Sequence, residues 1–398
     1  MTTILRNTNL DAGNKPIQGW ETCAASAGEV VVYTGNWMAA YSVDGGATFS
    51  AIDAGAVCAS VGQDLVGDQI VIYVPNIDNF CWIIQTIQGN YVLALATPDE
   101  ITRSHGTLWT TWLIPSANFG APGGAFDYPE LAVGDKYLYL TCNIARQSIA
   151  LRLSLTELYS RGVLHFLYLS FPVIWPRPVH SCLDTGYIVM QNSASSLRVY
   201  SWPETSQNAS YFDVDLAWTI PTLKFPVSTP GGDVWLGDTS KVDWHLYSAT
   251  RTGFHIWVAW NGARRIQGQS TDSFNFPHIG LAVIDVQSQK LVDQTAIANA
   301  NFGFAWPALA TNKAGDVGLS FCWGGNQLYP QHGVGMLTGP GKGLVATTSG
   351  PSAGAGGHYV SIRPGFPDSS TFCAAGFNQP KGPDGSVKSD PHYVVFKA

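Results

Sequence analysis

One pattern constrains this chain more than any other: seven short β-rich runs recur along it, and each ends at an asparagine. The runs are EVVVYTG, QIVIYVP, YLYLTCN, GYIVMQN, FHIWVAW, DVGLSFCW and TFCAAGF, ending at Asn36, Asn76, Asn143, Asn192, Asn261, Asn326 and Asn378. Recurrence at intervals of tens of residues marks a repeat architecture, in which each unit buries its apolar face only against its neighbours. Before each run lies a segment of small residues (TCAASAG, VCASVGQ, YPELAVG, VHSCLD, DWHLYSA, WPALATN, HYVSIRP), and one or two further strands follow it. Residues 20–52 read as four consecutive strands, WETCAAS, EVVVYTG, WMAAYSV and ATFSAI. Four antiparallel strands per repeat make a propeller blade. The expectation is an all-β fold, a single seven-bladed β-propeller of four-stranded blades over residues 1–398. The last repeat shows only three strands, so residues 2–8 are expected to pair with it and close the ring, because an open ring leaves an unpaired edge. Residues 99–126 read as an insertion between blades. With Arg103, His105, Trp109 and Trp112 it would suit a lid.

Composition excludes several function classes. Of 398 residues only 12% are charged, about half the usual share of roughly 25%. The formal net charge of −7 gives no basic field for nucleic acid or an anionic membrane surface. An apolar share of 45% is incompatible with disorder. No apolar run reaches the roughly 18 residues of a membrane helix. The start, MTTILRNTNLDAGNKP, lacks the apolar stretch of a signal peptide, so the expected location is the cytoplasm, or outside the cell if a leader has been removed. Seven cysteines, an odd number without a CxxC spacing, are expected to be buried free thiols.

Residues 42–49, SVDGGATF, fit the Asp-box pattern S-x-D-x-G-x-T-[FW] and resemble that box in the sialidase-like bacterial β-propellers. The box is a hairpin turn whose Asp and Ser/Thr satisfy turn amides, whose Gly takes positive φ and whose aromatic packs below. FDYPELAVGDKYLYLTCN (126–143), FAWPALATNKAGDVGLSFCW (304–323) and SIRPGFPDSSTFCAAGF (361–377) resemble other blades of that family. The resemblance implies the fold and leaves function open. The catalytic set of true sialidases, with its arginine triad and early Arg-Ile-Pro motif, is not visible among 11 Arg and six Glu, which argues against sialidase activity.

Propeller ligands bind at one mouth of the central channel, lined by the loops that lead into the inner strands and by the turns between second and third strands. The leads align as Asp127-Tyr128-Pro129, Pro178-Val179-His180, Asp243-Trp244-His245, Ala305-Trp306-Pro307 and Gly357-His358-Tyr359, with Trp20 and Glu21 before the first blade. His180, His245 and His358 near an axis could act as bases or hold one divalent metal ion. Asp127 and Asp243 share a position and could form an acid–base pair beside Tyr128. Trp20, Trp244, Trp306 and Tyr359 would ring the mouth as stacking surfaces, and Arg146, Arg264 and Arg265 would bring cations to its rim for a carboxylate or sulfate. These residues suggest an enzyme with one axial site acting on a carbohydrate or similar polyhydroxylated or acidic substrate, as a lyase or hydrolase. The alternatives are an enzyme of specialised metabolism acting on a small organic substrate, and a non-catalytic glycan-binding propeller.

Overall fold

The computed structural model describes the chain apart from residues 11–19, 121–123, 173–174, 221–226, 237–244, 263–275, 356–358, 369 and 383. The described chain is almost entirely antiparallel sheet. Cys23–Ala27, Val30–Gly35, Met38–Ser42 and Ser50–Ile52 form a four-stranded sheet in sequence order. The same order repeats in the sheets that begin at Leu65–Val74, Phe126–Val133 and Gly303–Thr311. Strands between Arg177 and Ile297 make an eight-stranded sheet of two such halves, joined where Val179 and His180 lie parallel to Ala249 and Thr250. A separate hairpin pairs Val227–Ser228 with Val234–Leu236.

The first strands of these sheets touch in a circuit. Cys23–Ala27 contacts Leu65–Val74, and contact passes on through Phe126–Val133, Arg177–His180, Leu246–Thr252, Gly303–Thr311 and Ser361–Pro364 back to Cys23–Ala27. They surround a channel, the arrangement of a propeller. Central strands lie between neighbouring sheets, so both faces are covered and the period-2 alternation of a half-exposed strand disappears. Val30–Gly35 and Tyr91–Ala96 are buried throughout, whereas the outer strand Lys290–Ile297 is largely open to solvent.

The expected closure is present. Thr3–Asn9 pairs antiparallel with Asp390–Lys397, from Thr3 opposite Lys397 to Asn9 opposite His392. Thr2 Oγ1 donates to Gly343 O at 2.6 Å and Leu10 N to Pro391 O at 2.9 Å, which fix both ends of the added strand. The turn at 42–49 has the expected hydrogen bonds. Asp44 Oδ1 accepts from the amides of Ala47 and Thr48, each at 2.9 Å, and Ser42 Oγ accepts from Gly46 N at 2.8 Å. Gly46 has φ +84°, and a Cβ there would lie 2.3 Å from the Tyr393 ring. Phe49 packs edge-on against Tyr33 and Tyr393, which ties the turn to the closing sheet. All seven cysteines are buried free thiols.

Two expectations need correction. QIVIYVP is the inner strand of its sheet, not the second, because Leu65–Val74 pairs only with Asn79–Thr86 and Asn76 lies in the 3-10 turn Pro75–Ile77. The preceding VCASVGQ overlaps helix Ala54–Ala59, started by Asp53, whose Oδ1 accepts from Ala56 N at 2.9 Å. Residues 99–126 are no simple insertion either. They carry part of helix Pro98–Ser104 and the outer strand Thr110–Ile114, which pairs with Tyr91–Ala96.

Deleting residues 1–9 should strip the outer edge of Asp390–Lys397 and reduce the closing sheet. The expected outcome is a thermal transition at least about 5 °C lower, with aggregation through the bared edge. Calorimetry and light scattering on the truncated chain check this, and an unchanged transition would show that closure contributes little.

Candidate functional site

The inner strands begin with a recurrent backbone irregularity. Tyr128, Trp175 and Trp306 each precede proline and hold φ of +55°, +70° and +54°. Bulky residues rarely adopt this conformation, and it needs support from its surroundings. Asparagines at the ends of preceding second strands provide that support. Asn143 Oδ1 accepts from Trp175 N at 2.9 Å, and Asn261 Oδ1 accepts from Trp306 N at 2.8 Å. Ahead of Phe126–Val133 the acceptor comes instead from the preceding inner strand: Asp68 Oδ2 accepts from Tyr128 N at 3.2 Å. Glu21 has φ +56° and accepts from Asn36 Nδ2 at 2.7 Å.

This irregularity corrects the alignment of the inner strands. Trp175-Pro176, not Val179-His180, corresponds to Tyr128-Pro129, so Arg177 matches Glu130 and His180 lies four residues beyond the matching proline. His180 and His245 therefore do not share a repeat position, and their neighbours differ. His245 is stacked between Trp175 (ring centroids 4.1 Å, interplanar 5°) and Tyr247 (4.6 Å, 12°). Tyr128 sits edge-on to His245 at 6.0 Å, to Trp175 at 4.1 Å and to Tyr359 at 5.8 Å. The Arg177 guanidinium lies 5.5 Å from the Tyr128 ring, and its Nε donates to Leu246 O at 3.0 Å.

Beside this aromatic group lies a cluster of carboxyl groups. Glu21 and Asp68 are buried side by side, close enough for one carboxyl to donate to the other when protonated, and Asp127 acts on both electrostatically. Burial pushes the Asp68 carboxyl up to about 6, with the Asp127 charge adding to the rise and the bond from Glu21 opposing it. Burial raises Glu21 well above the carboxylate range, reinforced by the Asp68 charge. Two carboxyl groups sharing one site cannot both ionise cheaply, so the pair retains a proton where an ordinary carboxyl has lost it. Asp127 is exposed at the start of Phe126–Val133, and Trp20 is 39% exposed next to Glu21. We call this end the acidic mouth.

Deeper in the channel Arg363 Nη2 donates to Glu130 Oε1 at 2.8 Å, and Arg363 Nη1 lies 3.4 Å from His180 Nε2. Burial, then the Arg363 charge, lowers the His180 imidazole to about 4, so it is neutral near pH 7. Burial would raise Glu130, but the charges of Arg363, His180 and Arg177 outweigh it and leave the carboxyl below its ordinary value. A guanidinium 3.4 Å from Nε2 disfavours a metal ion at that nitrogen. Among the described residues no three His, Cys, Asp or Glu side chains are grouped to hold a metal ion.

Of the other expected site residues, Trp306 is buried and packs edge-on against Trp235 at 5.8 Å, so it is a wall residue rather than a stacking surface. Tyr359 is half-buried beside Tyr128, and Arg146 is exposed in the turn after Tyr137–Ile144. Asp243, Trp244, Arg264, Arg265 and His358 lie outside the described residues. Sequence reasoning passed over Asp68, Trp175 and Arg177. The aromatic–proline pair repeated at 128–129, 175–176 and 306–307 was the signal for the last two; nothing local marks Asp68.

No protein-family model matches this chain, and no curated protein matches it. Solved structures do. The Dos1 propeller aligns with a TM-score of 0.50 at 8% identity, covering 100% of this chain and 95% of that one. A fungal alcohol oxidase of the AA5 family, in complex with copper, gives 0.54 at 9% identity, covering 100% and 76%. The BP39L lectin from Burkholderia pseudomallei gives 0.48 at 9% identity, covering 96% and 98%. At these identities the likeness is one of fold, a β-propeller.

The raised carboxyl of Asp68 has a stability consequence with a definite sign. Its folded value of about 6 exceeds the unfolded value of about 3.9. The protonated group therefore favours the folded state fully below about pH 4, and that contribution is lost as pH rises through about 6. Asp68→Asn, which stays neutral, should match the wild-type melting temperature near pH 4 and exceed it at pH 8 by about 2–4 °C. Scanning calorimetry at the two pH values checks this; a variant less stable at both would show that Asp68 is held as a carboxylate.

Proposed function

We propose that the protein is an enzyme that hydrolyses a glycosidic bond at the acidic mouth of its channel. The observation that carries this reading is the buried Glu21–Asp68 pair, which keeps a proton near neutral pH beside the exposed carboxylate of Asp127. A carboxylic acid next to a carboxylate is the minimal equipment for hydrolysing an acetal. The pair would donate its proton to the leaving oxygen while Asp127 takes a proton from the attacking water. Trp20, Tyr128 and Tyr359 would shape the bound sugar, since aromatic rings offer apolar faces with polar edges. The ligand is accordingly a glycan or a smaller glycoside.

We further infer a ring of seven blades, counting the eight-stranded sheet as two and the hairpin Val227–Leu236 as none, because the circuit of inner strands closes on that count. The turn at 42–49 supports a sialidase-like framework for that ring.

A second reading has its own observation. Arg177 is buried beside Tyr128, and among the described residues its Nη2 has no hydrogen-bond partner. It could neutralise a uronate carboxylate while a tyrosine or His245 takes the adjacent proton, giving elimination instead of hydrolysis. A lectin reading is weaker, because the carboxyl pair occurs once while the aromatic–proline feature repeats.

A screen of neutral and uronate-containing polysaccharides and aryl glycosides separates these readings, by reducing-sugar release and by absorbance near 235 nm. Hydrolysis predicts reducing ends without the unsaturated chromophore. Glu21→Gln and Asp68→Asn should each lower kcat by about 10²–10⁴ with little change in KM. Full turnover in both variants would refute the assignment. A 235 nm product abolished by Arg177→Ala would establish elimination.

A further inference from the structure

At the opposite end of the channel, where the inner strands finish, a cavity of about 460 Å³ opens. That volume lies within the roughly 300–1,000 Å³ of small-molecule sites. Each inner strand contributes its last residues, from Ala25 and Ile72 round to Thr311 and Arg363. Ile72, Val133, Leu183 and Phe366 supply apolar walls, and Tyr73 meets Phe366 edge-on at 5.3 Å.

The charges around this cavity are unbalanced. Among its described lining residues the cations are Arg251, Lys313 and Arg363, and the one acid is Asp135. Arg363 is already neutralised by Glu130. Arg251 is not: its Nε donates to Gly253 O at 2.8 Å and its guanidinium lies 5.5 Å from the Tyr187 ring, but among the described residues its Nη1 has no hydrogen-bond partner and no ion pair reaches it. Lys313, exposed in the turn after Gly303–Thr311, likewise has no ion pair among the described residues. A guanidinium without a counter-ion beside an apolar wall recognises a planar anion on an apolar body.

We propose that this cavity is a second ligand site, for a small carboxylate with an aromatic or branched aliphatic body. The body lies against Ile72, Val133 and Phe366, and the carboxylate faces Arg251 and Lys313. The site is separate from the acidic mouth, because the Glu130–Arg363–His180 group lies between them.

The probes are benzoate, phenylacetate and indole-3-acetate, titrated calorimetrically into the whole protein, with their primary amides as uncharged controls. At least one acid should bind in the millimolar range or tighter, and its amide about tenfold more weakly. Arg251→Gln should weaken the acid about tenfold. Lys313→Gln, at an exposed turn, should weaken it measurably and serves if Arg251→Gln fails to fold. Asp68→Asn, at the other mouth, should leave the affinity unchanged. The proposal is overturned if none of the acids binds below 10 mM, if acid and amide bind alike, or if binding is lost in Asp68→Asn and kept in the Arg251 and Lys313 variants. Because the readout is binding, a failure here leaves the hydrolase reading to its own assay.

Discussion

Closure of the ring is the constraint on which the rest of this molecule depends. Each inner strand is short, and its side chains have no core of their own. Arg363, in the last sheet, reaches Glu130 in a sheet far earlier in the chain, touches Cys23 in the first and abuts His180. Such meetings across the axis exist only while every sheet is wedged between two others. The pairing of Thr3–Asn9 with Asp390–Lys397 holds the two ends of the chain in one sheet. It therefore acts on the channel from a distance, since opening the ring would unpair groups that are costly to bury alone.

Within the closed ring, the left-handed residues at the heads of the inner strands place the chemistry. A strand running straight into the channel would present alternating side chains to the axis and to the sheet interior. Tyr128, Trp175 and Trp306 break that alternation, and the proline after each prevents a return to helical geometry. Acceptors on neighbouring sheets fasten each break. Strain of this kind persists where the surroundings over-determine it, and it gathers at sites with a task. Here it stacks His245 between Trp175 and Tyr247 and sets the Tyr128 amide on the same Asp68 carboxyl that lies beside Glu21.

The repeat made the fold legible in the sequence. Six of the seven β-rich runs ending at asparagine are second strands, and two of those asparagines, Asn143 and Asn261, fasten the next inner strand. The run QIVIYVP misled because an inner strand covered on both faces is as apolar as a central one, and periodicity does not distinguish them. The site was less legible. Tyr128 and His245 do meet near one mouth, next to Asp127, but His180 lies four residues beyond the position that the sequence alignment gives it, which belongs to Pro176. Asp68 carries no local signal: it matters because of Glu21, 47 positions away, and only the folded chain joins them.

The arrangement of charge along the channel weighs on the choice of substrate. At the acidic mouth Glu21, Asp68 and Asp127 bring three carboxyl groups together, and burial raises the first two; among the described residues the Arg177 guanidinium lies nearby, 5.5 Å from the Tyr128 ring. A uronate entering there adds another negative charge in a partly desolvated place. Unit charges about 4 Å apart at an effective dielectric of 20 interact by about 4 kcal/mol, so repulsion from a carboxylate and attraction to Arg177 at equal distance are of the same size. A neutral sugar avoids that repulsion and still meets the proton donor. Farther along, the Glu130–Arg363 pair is internally balanced, and beyond it the uncompensated charge is positive. Under the two readings we propose, such a distribution of charge suits a neutral acetal at the first mouth and an anion at the other.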